Sequence, residues 1–130
     1  MTCPECGGET VAFPVEPELQ AYLPGDAPGA AICVDCLAVR PVEDPPEDAG
    51  GFGAIGDAFP TDPAAAVPMA LLVGLLSSLA VYRAEIAALL EHVERAGVDP
   101  LLVIDRLAAD PGIDASVDLA RRRRQLEDLL

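Results

Sequence analysis

Cys3-Pro4-Glu5-Cys6 and Cys33-Val34-Asp35-Cys36 hold every cysteine of the chain. Two C-x2-C pairs, parted by the twenty-six residues 7–32, have the spacing of one tetrahedral zinc site on a ribbon. In each pair the short spacing lets both sulfurs grip one ion. Pro4 presets the first turn, and Gly7 can take the positive φ that aims backbone N–H groups at the thiolates. Cys3, Cys6, Cys33 and Cys36 are therefore the candidate metal ligands. Zinc is the leading ion. Iron, as in rubredoxin-like sites, and a dithiol redox pair are the alternatives. Against iron, Leu37 and not glycine follows Cys36. Against redox chemistry, no βαβ frame surrounds the pairs. Four thiolates fill the shell around zinc, and a filled shell is structural, because catalysis needs a position open to water or substrate.

Short strands are expected around the knuckles, over residues 10–15, 30–32 and 37–40, with one helical turn over 17–23. Residues 1–41 thus form the zinc ribbon. Residues 42–63 read as an acidic, flexible linker, since prolines 45, 46, 60 and 63 and glycines 50, 51, 53 and 56 sit among acids. Within it, Gly51-Phe52-Gly53-Ala54-Ile55-Gly56 matches G-x-G-x-x-G by letter. A dinucleotide site needs a strand before that run and a helix opening on it, and the flanking prolines argue against both. Phe52, Ile55 and Phe59 are expected to pin the segment onto the body of the protein, ahead of onto a partner.

Residues 64–130 are expected to be a helical domain of three helices. The first spans 64–97. Residues 64–82 carry no charge, so a membrane span is considered. At 100° per residue, however, Leu71, Leu72, Leu75, Leu76, Leu79, Tyr82, Ile86, Leu89, Leu90 and Val93 fall on one continuous stripe. The other side holds small residues and then charges. That pattern is one amphipathic helix with no membrane role. Pro68 is placed in its first turn and Gly97 at its stop. Asp99 caps a second helix that opens on Pro100 and halts at Asp110-Pro111-Gly112. A third covers 115–129 and contains Arg121-Arg122-Arg123-Arg124. Those arginines read first as partners for the chain's own carboxylates, and second as a site for phosphate or an acidic partner. His92, the only histidine, reads as a surface residue.

Of 130 residues, 22 are acids and 8 are arginines; lysine is absent and the formal charge is −14. With 52% hydrophobic residues this is no disordered acidic tail. An acid-rich surface without lysine suits molar salt, where the Debye length falls to about 3 Å and like charges hardly repel. The N-terminus, Met1-Thr2-Cys3-Pro4, lacks the charged and apolar regions of a signal peptide, so a cytoplasmic location is expected. In a reducing cytosol paired cysteines favour metal over disulfides.

The chain resembles a family of small, uncharacterised zinc-ribbon proteins of halophilic archaea, a domain of unknown function. The resemblance rests on Cys3-Pro4-Glu5-Cys6-Gly7-Gly8, Ala12-Phe13-Pro14-Val15, Cys33-Val34-Asp35-Cys36, and Ala96-Gly97-Val98-Asp99-Pro100 followed by Asp105-Arg106-Leu107. The run from Arg121 to Leu130 is similar too. Membership implies a metal site and a halophile cytoplasm, and no known activity.

The expectation is therefore an α+β chain: a zinc ribbon of short antiparallel strands with two C-x2-C knuckles, then a three-helix region. Its function is read as a non-enzymatic protein-interaction adaptor holding one structural zinc. No catalytic or organic-cofactor residues are assigned. The partner is another protein or a second copy, a homodimer forming through 64–97 and 115–129. The alternative is a nucleic-acid-associated ribbon in transcription or RNA handling. It is not favoured, since Arg40 is the lone base in residues 1–41 and aromatics there are Phe13 and Tyr22.

Overall fold

The computed structural model describes residues 2–129, with the backbone alone for Pro24. Three short strands, β1 (Thr10–Pro14), β2 (Gly29–Cys33) and β3 (Val39–Val42), make one antiparallel sheet of order β1-β2-β3. The β1–β2 register runs from Thr10 opposite Cys33 to Pro14 opposite Gly29, and the β2–β3 register from Gly29 opposite Val42 to Ile32 opposite Val39. Pro14 and Pro41, which have no N–H for a ladder, fall on the two outer strands. The central strand, Gly-Ala-Ala-Ile-Cys, is buried throughout. A Cβ at Gly29 would lie 2.8 Å from the Phe13 carbonyl oxygen and press into Pro45, so only glycine fits there. Between β1 and β2, Pro17–Tyr22 coils into a 3-10 helix that turns Leu19 inward.

The segment after β3 keeps its acids in solvent and its phenylalanines inside. Phe52 and Ile55 are buried around a short 3-10 helix, Phe52–Ala54, formed by the glycine-rich run. The Phe52 ring lies 5.3 Å from Phe13 of β1 and 6.0 Å from Phe59, centroid to centroid. Pinning onto the body is thus what these aromatics do.

The single helix expected over 64–97 is two antiparallel helices. α1 (Pro63–Leu75) begins where the Asp62 carboxylate accepts the Ala64 N–H at 3.1 Å. Because it opens on Pro63, Pro68 lies inside the helix and not in the first turn. Its missing N–H deprives the Ala64 carbonyl of its usual donor, and Ala64 is exposed, within reach of solvent. Every residue from Ala65 to Val73 is buried. A helix apolar on all sides belongs at the centre of a fold. Its 13 residues span about 20 Å, short of the roughly 30 Å of a bilayer core. Among the described residues no helix is long and apolar enough to cross a membrane.

After Leu75 the chain tightens into a 3-10 turn, Leu76–Ser78, and the Ser78 carbonyl accepts both the Val81 and the Tyr82 N–H at 3.0 and 3.1 Å. The chain then reverses, leaving Val81 and Tyr82 exposed at the tip. A straight helix over 64–97 would extend about 50 Å and leave much of its apolar stripe uncovered. Folded back, α2 (Arg83–Arg95) lays Ile86, Leu89, Leu90 and Val93 on α1. The apolar stripe keeps its phase through the reversal, so periodicity alone gives no sign of it.

At the end of α2, Gly97 takes φ +88°, with its N–H on the Glu94 carbonyl and the Val98 N–H on the Val93 carbonyl. α3 (Pro100–Ala109) starts at the expected cap, where Asp99 Oδ1 accepts the Leu101 and Leu102 N–H groups. The last helix, α4 (Leu119–Glu127), is capped by Asp118 and is shorter than the expected 115–129. Among the described residues the helical region therefore has four α-helices where three are expected. The fold class is α+β, as anticipated. One apolar cluster runs through sheet, phenylalanine segment and helices, joining Phe13, Ile32, Phe52, Met69, Leu90 and Leu126.

Candidate metal centre

The two knuckles are near copies of one another. In the first, the Cys3 N–H donates to the Gly8 carbonyl at 2.7 Å and the Gly7 N–H to the Cys3 carbonyl at 2.9 Å. In the second, the Cys33 N–H donates to the Ala38 carbonyl at 2.9 Å and the Leu37 N–H to the Cys33 carbonyl at 3.1 Å. Both turns demand a left-handed residue directly after the second cysteine. Gly7 supplies it at φ +79°; Leu37 supplies it at φ +63°. For leucine that conformation costs about 1–2 kcal/mol. Burial of the Leu37 side chain to 3% exposure offsets this, at about 1.5–3 kcal/mol for a residue of its size.

The sheet brings the knuckles together. β2 delivers Cys33 at its end, and the Val34 N–H bonds the Glu9 carbonyl at 2.9 Å, tying the start of β1 to the second knuckle. The sulfurs of Cys3 and Cys36 lie 3.7 Å apart and those of Cys6 and Cys33 3.4 Å, and all four sit within 4.8 Å of one another. A tetrahedron of sulfurs about 2.3 Å from zinc has edges of roughly 3.8 Å. All four residues singled out in the sequence thus converge at a spacing that fits one ion. Cys3, Cys33 and Cys36 are buried and Cys6 is exposed.

Backbone amides surround the sulfurs. The Asp35 and Cys36 N–H groups point at Cys33 Sγ, at 3.4 and 3.5 Å. Such donors stabilise a thiolate over a thiol. At Cys3, the backbone N–H of Cys6 and then that of Glu5 hold the thiol down to about 7. At Cys36, burial pushes the thiol up to about 12. A positive ion at the centre removes that opposition, since it favours every thiolate at once. Gly8 makes room for the cradle: a Cβ there would sit 3.2 Å from Cys33 Sγ and 3.0 Å from the Asp35 carboxyl carbon.

Three contributors escape a motif search. Gly8 and Leu37 are legible only once the two turns are superposed. The third is the segment before α4. The Asp114 N–H donates to the Asp35 carbonyl at 2.8 Å and the Ser116 N–H to the Cys36 carbonyl at 3.1 Å. These bonds fasten the α3–α4 connection to the second knuckle. They also explain why α4 starts at Leu119 and not at 115: the intervening backbone is engaged with the ribbon.

The arginine run divides. Arg123 pairs with Asp105 of α3 at 3.0 Å and with Glu127, while Arg122 bonds Gln125 Oε1 at 2.9 Å. Arg121 and Arg124 are exposed and make no ion pair among the described residues. His92 is half-buried at the end of α2, its ring edge-on to Tyr22 at 6.5 Å.

A family model, that of a family of unknown function (DUF6276), matches residues 2–130. No curated protein and no solved structure matches the chain.

Proposed function

Because the chain belongs to this family of unknown function, we propose its role from its chemistry: a non-enzymatic interaction protein built around one structural zinc ion. The observation that carries this reading is the convergence of four cysteine sulfurs within 4.8 Å of one another. Sulfur donors in tetrahedral array suit zinc, and four of them complete its coordination. Bound there, zinc supplies cross-linking energy and no position for substrate. Structural zinc contributes apparent binding energies of about 10–16 kcal/mol, which a sheet of three short strands would draw on to fold. The ribbon then serves as one wall of a body whose helices present the contact surface.

The setting we propose is the salt-rich cytoplasm of a halophilic archaeon. A charge of −14 with no lysine among 130 residues supports it.

Elemental analysis of protein purified without added metal tests the zinc: about one zinc per chain is expected. Serine at both Cys33 and Cys36 should abolish it, and zinc retained by that double variant would refute the four-sulfur site. Capture from native high-salt lysate with zinc present tests the adaptor role. Tight RNA or DNA binding that persists in molar KCl would replace it with the nucleic-acid reading.

A further inference from the structure

The four sulfurs are not equally reachable, and the difference begins at one backbone position in each knuckle. In the first, the left-handed residue is Gly7, and a Cβ there would meet nothing within 4 Å. Pro4, Glu5, Cys6 and Gly7 are all exposed. In the second, the same position holds Leu37, which is buried together with Cys33 and Cys36. A small molecule arriving from solvent therefore meets Cys6 before any other sulfur. A hydroperoxide suits that approach, because it is uncharged and the acid-rich surface does not turn it away.

What stands behind Cys6 decides the outcome of such a meeting. Cys33 Sγ lies 3.4 Å from Cys6 Sγ, closer than Cys3 lies to Cys36 at 3.7 Å. Cys33 ends β2 with Thr10 opposite it, and the Val34 N–H beside it bonds the Glu9 carbonyl at 2.9 Å. These backbone contacts hold the two knuckles side by side in addition to any ion. The Cys6 and Cys33 sulfurs need only close from 3.4 Å to the about 2.0 Å of a disulfide bond.

We propose that Cys6 and Cys33 form an oxidation site, at which a hydroperoxide converts the pair to a disulfide and the metal is released. This rests on the zinc reading and adds a chemical event to it. The Cys6 sulfur attacks one oxygen of hydrogen peroxide. The O–O bond breaks, a sulfenic acid forms on Cys6, and the departing hydroxide takes up a proton. The Cys33 sulfur then attacks Cys6 Sγ. The S–S bond forms, the S–O bond breaks, and a second hydroxide leaves and takes up a proton. The two sulfurs have given up two electrons, and the peroxide has become two molecules of water. Cys3 and Cys36 remain, two donors where tetrahedral zinc takes four. The disulfide meanwhile joins residues 27 apart in sequence and takes over the cross-link between the knuckles. It is also open to repair, since a thiol in solvent can attack the Cys6 sulfur and send Cys33 away.

The zinc-loaded full chain, treated with about one equivalent of hydrogen peroxide and then alkylated, is mapped by mass spectrometry. The expected product has lost two hydrogens, links Cys6 to Cys33, and carries alkyl groups on Cys3 and Cys36. A chromophoric chelator should register about one zinc per disulfide. A dithiol with added zinc should restore both the thiols and the bound metal. A short pulse of peroxide with dimedone should label Cys6 about tenfold or more above any other cysteine. Cys33→Ser should prolong that label by removing the sulfur that consumes it; if this variant does not fold, the pulse on the unaltered chain decides alone. Any other pairing, labelling that begins elsewhere, thiols that survive peroxide intact, or a disulfide formed with zinc retained overturns the proposal. A chain that purifies without zinc refutes the zinc reading instead, and the pairing and the order of labelling still decide this one.

Discussion

The backbone N–H of Asp114 donates to the carbonyl of Asp35 at 2.8 Å, joining the approach to α4 to the residue between the cysteines of the second knuckle. Asp35 is held in place by the same turn that aims its own N–H at Cys33 Sγ. Two hydrogen bonds, this one and Ser116 to Cys36, thus link the cysteine cluster to the helical region. Stripping the metal with a chelator should raise hydrogen exchange at the Asp114 and Ser116 amides together with those of the knuckles, by about tenfold or more. Exchange at these two amides that ignores the metal would break this coupling.

Phe52 should behave as a core residue despite its place in an acidic, glycine-rich segment. Its ring contacts Phe13 on one side and Phe59 on the other, at 1% exposure. Phe52→Ala should cost about 3–5 kcal/mol, read by denaturant unfolding in high salt with saturating zinc. A loss below about 1 kcal/mol would mean that the segment is dispensable to the core.

Gly74 is where α1 meets β3. A Cβ there would lie 2.7 Å from Val39 Cβ. Alanine is the better helix former by about 1 kcal/mol, so propensity and packing oppose each other. The contact is with the first carbon of a β-branched residue on a strand, which cannot swing away, so packing wins. Gly74→Ala should destabilise by about 1–3 kcal/mol, and should cost less in a Val39→Gly background, which removes that carbon. A stabilised single variant would contradict this packing.

Metal affinity should rise with pH. Zinc takes thiolates, so every proton still on sulfur must leave. Burial holds Cys36 protonated up to about 12, so across the neutral range it releases a proton whenever metal binds. Cys6, also raised above its ordinary value, releases a second, and the two together give about a hundredfold gain in affinity per pH unit. Below about 7, Cys3 is protonated as well and the dependence steepens. Competition against a chelator at pH 6, 7 and 8, corrected for the chelator's own protons, measures the slope. A flat profile would mean that the metal is not bound by these thiols.

The four candidate ligands are legible because C-x2-C spacing is local, and a knuckle is the same turn wherever it occurs. Helix boundaries marked by Asp99-Pro100 and Gly97 were legible for the same reason: a cap or a left-handed stop is written in one or two residues. The reversal at Leu76–Ser78 was not. An apolar stripe that keeps its phase looks alike whether a helix continues or folds back, and Ser77-Ser78 is a weak local signal. Pro68 lies inside the helix because Asp62-Pro63 is an equally good start, five residues earlier. The burial of Cys36 and the engagement of residues 114–116 depend on long-range contacts, which no local pattern encodes.

Three of the four sulfurs lie beneath the surface and Cys6 alone reaches solvent. An ion bound there would be shielded by three buried sulfurs, Cys3 of the first knuckle among them, and open to exchange at Cys6. A competing thiol can attack at Cys6 and displace one ligand while the body stays folded. Exchange of zinc with the cell's pool should therefore be far faster than unfolding.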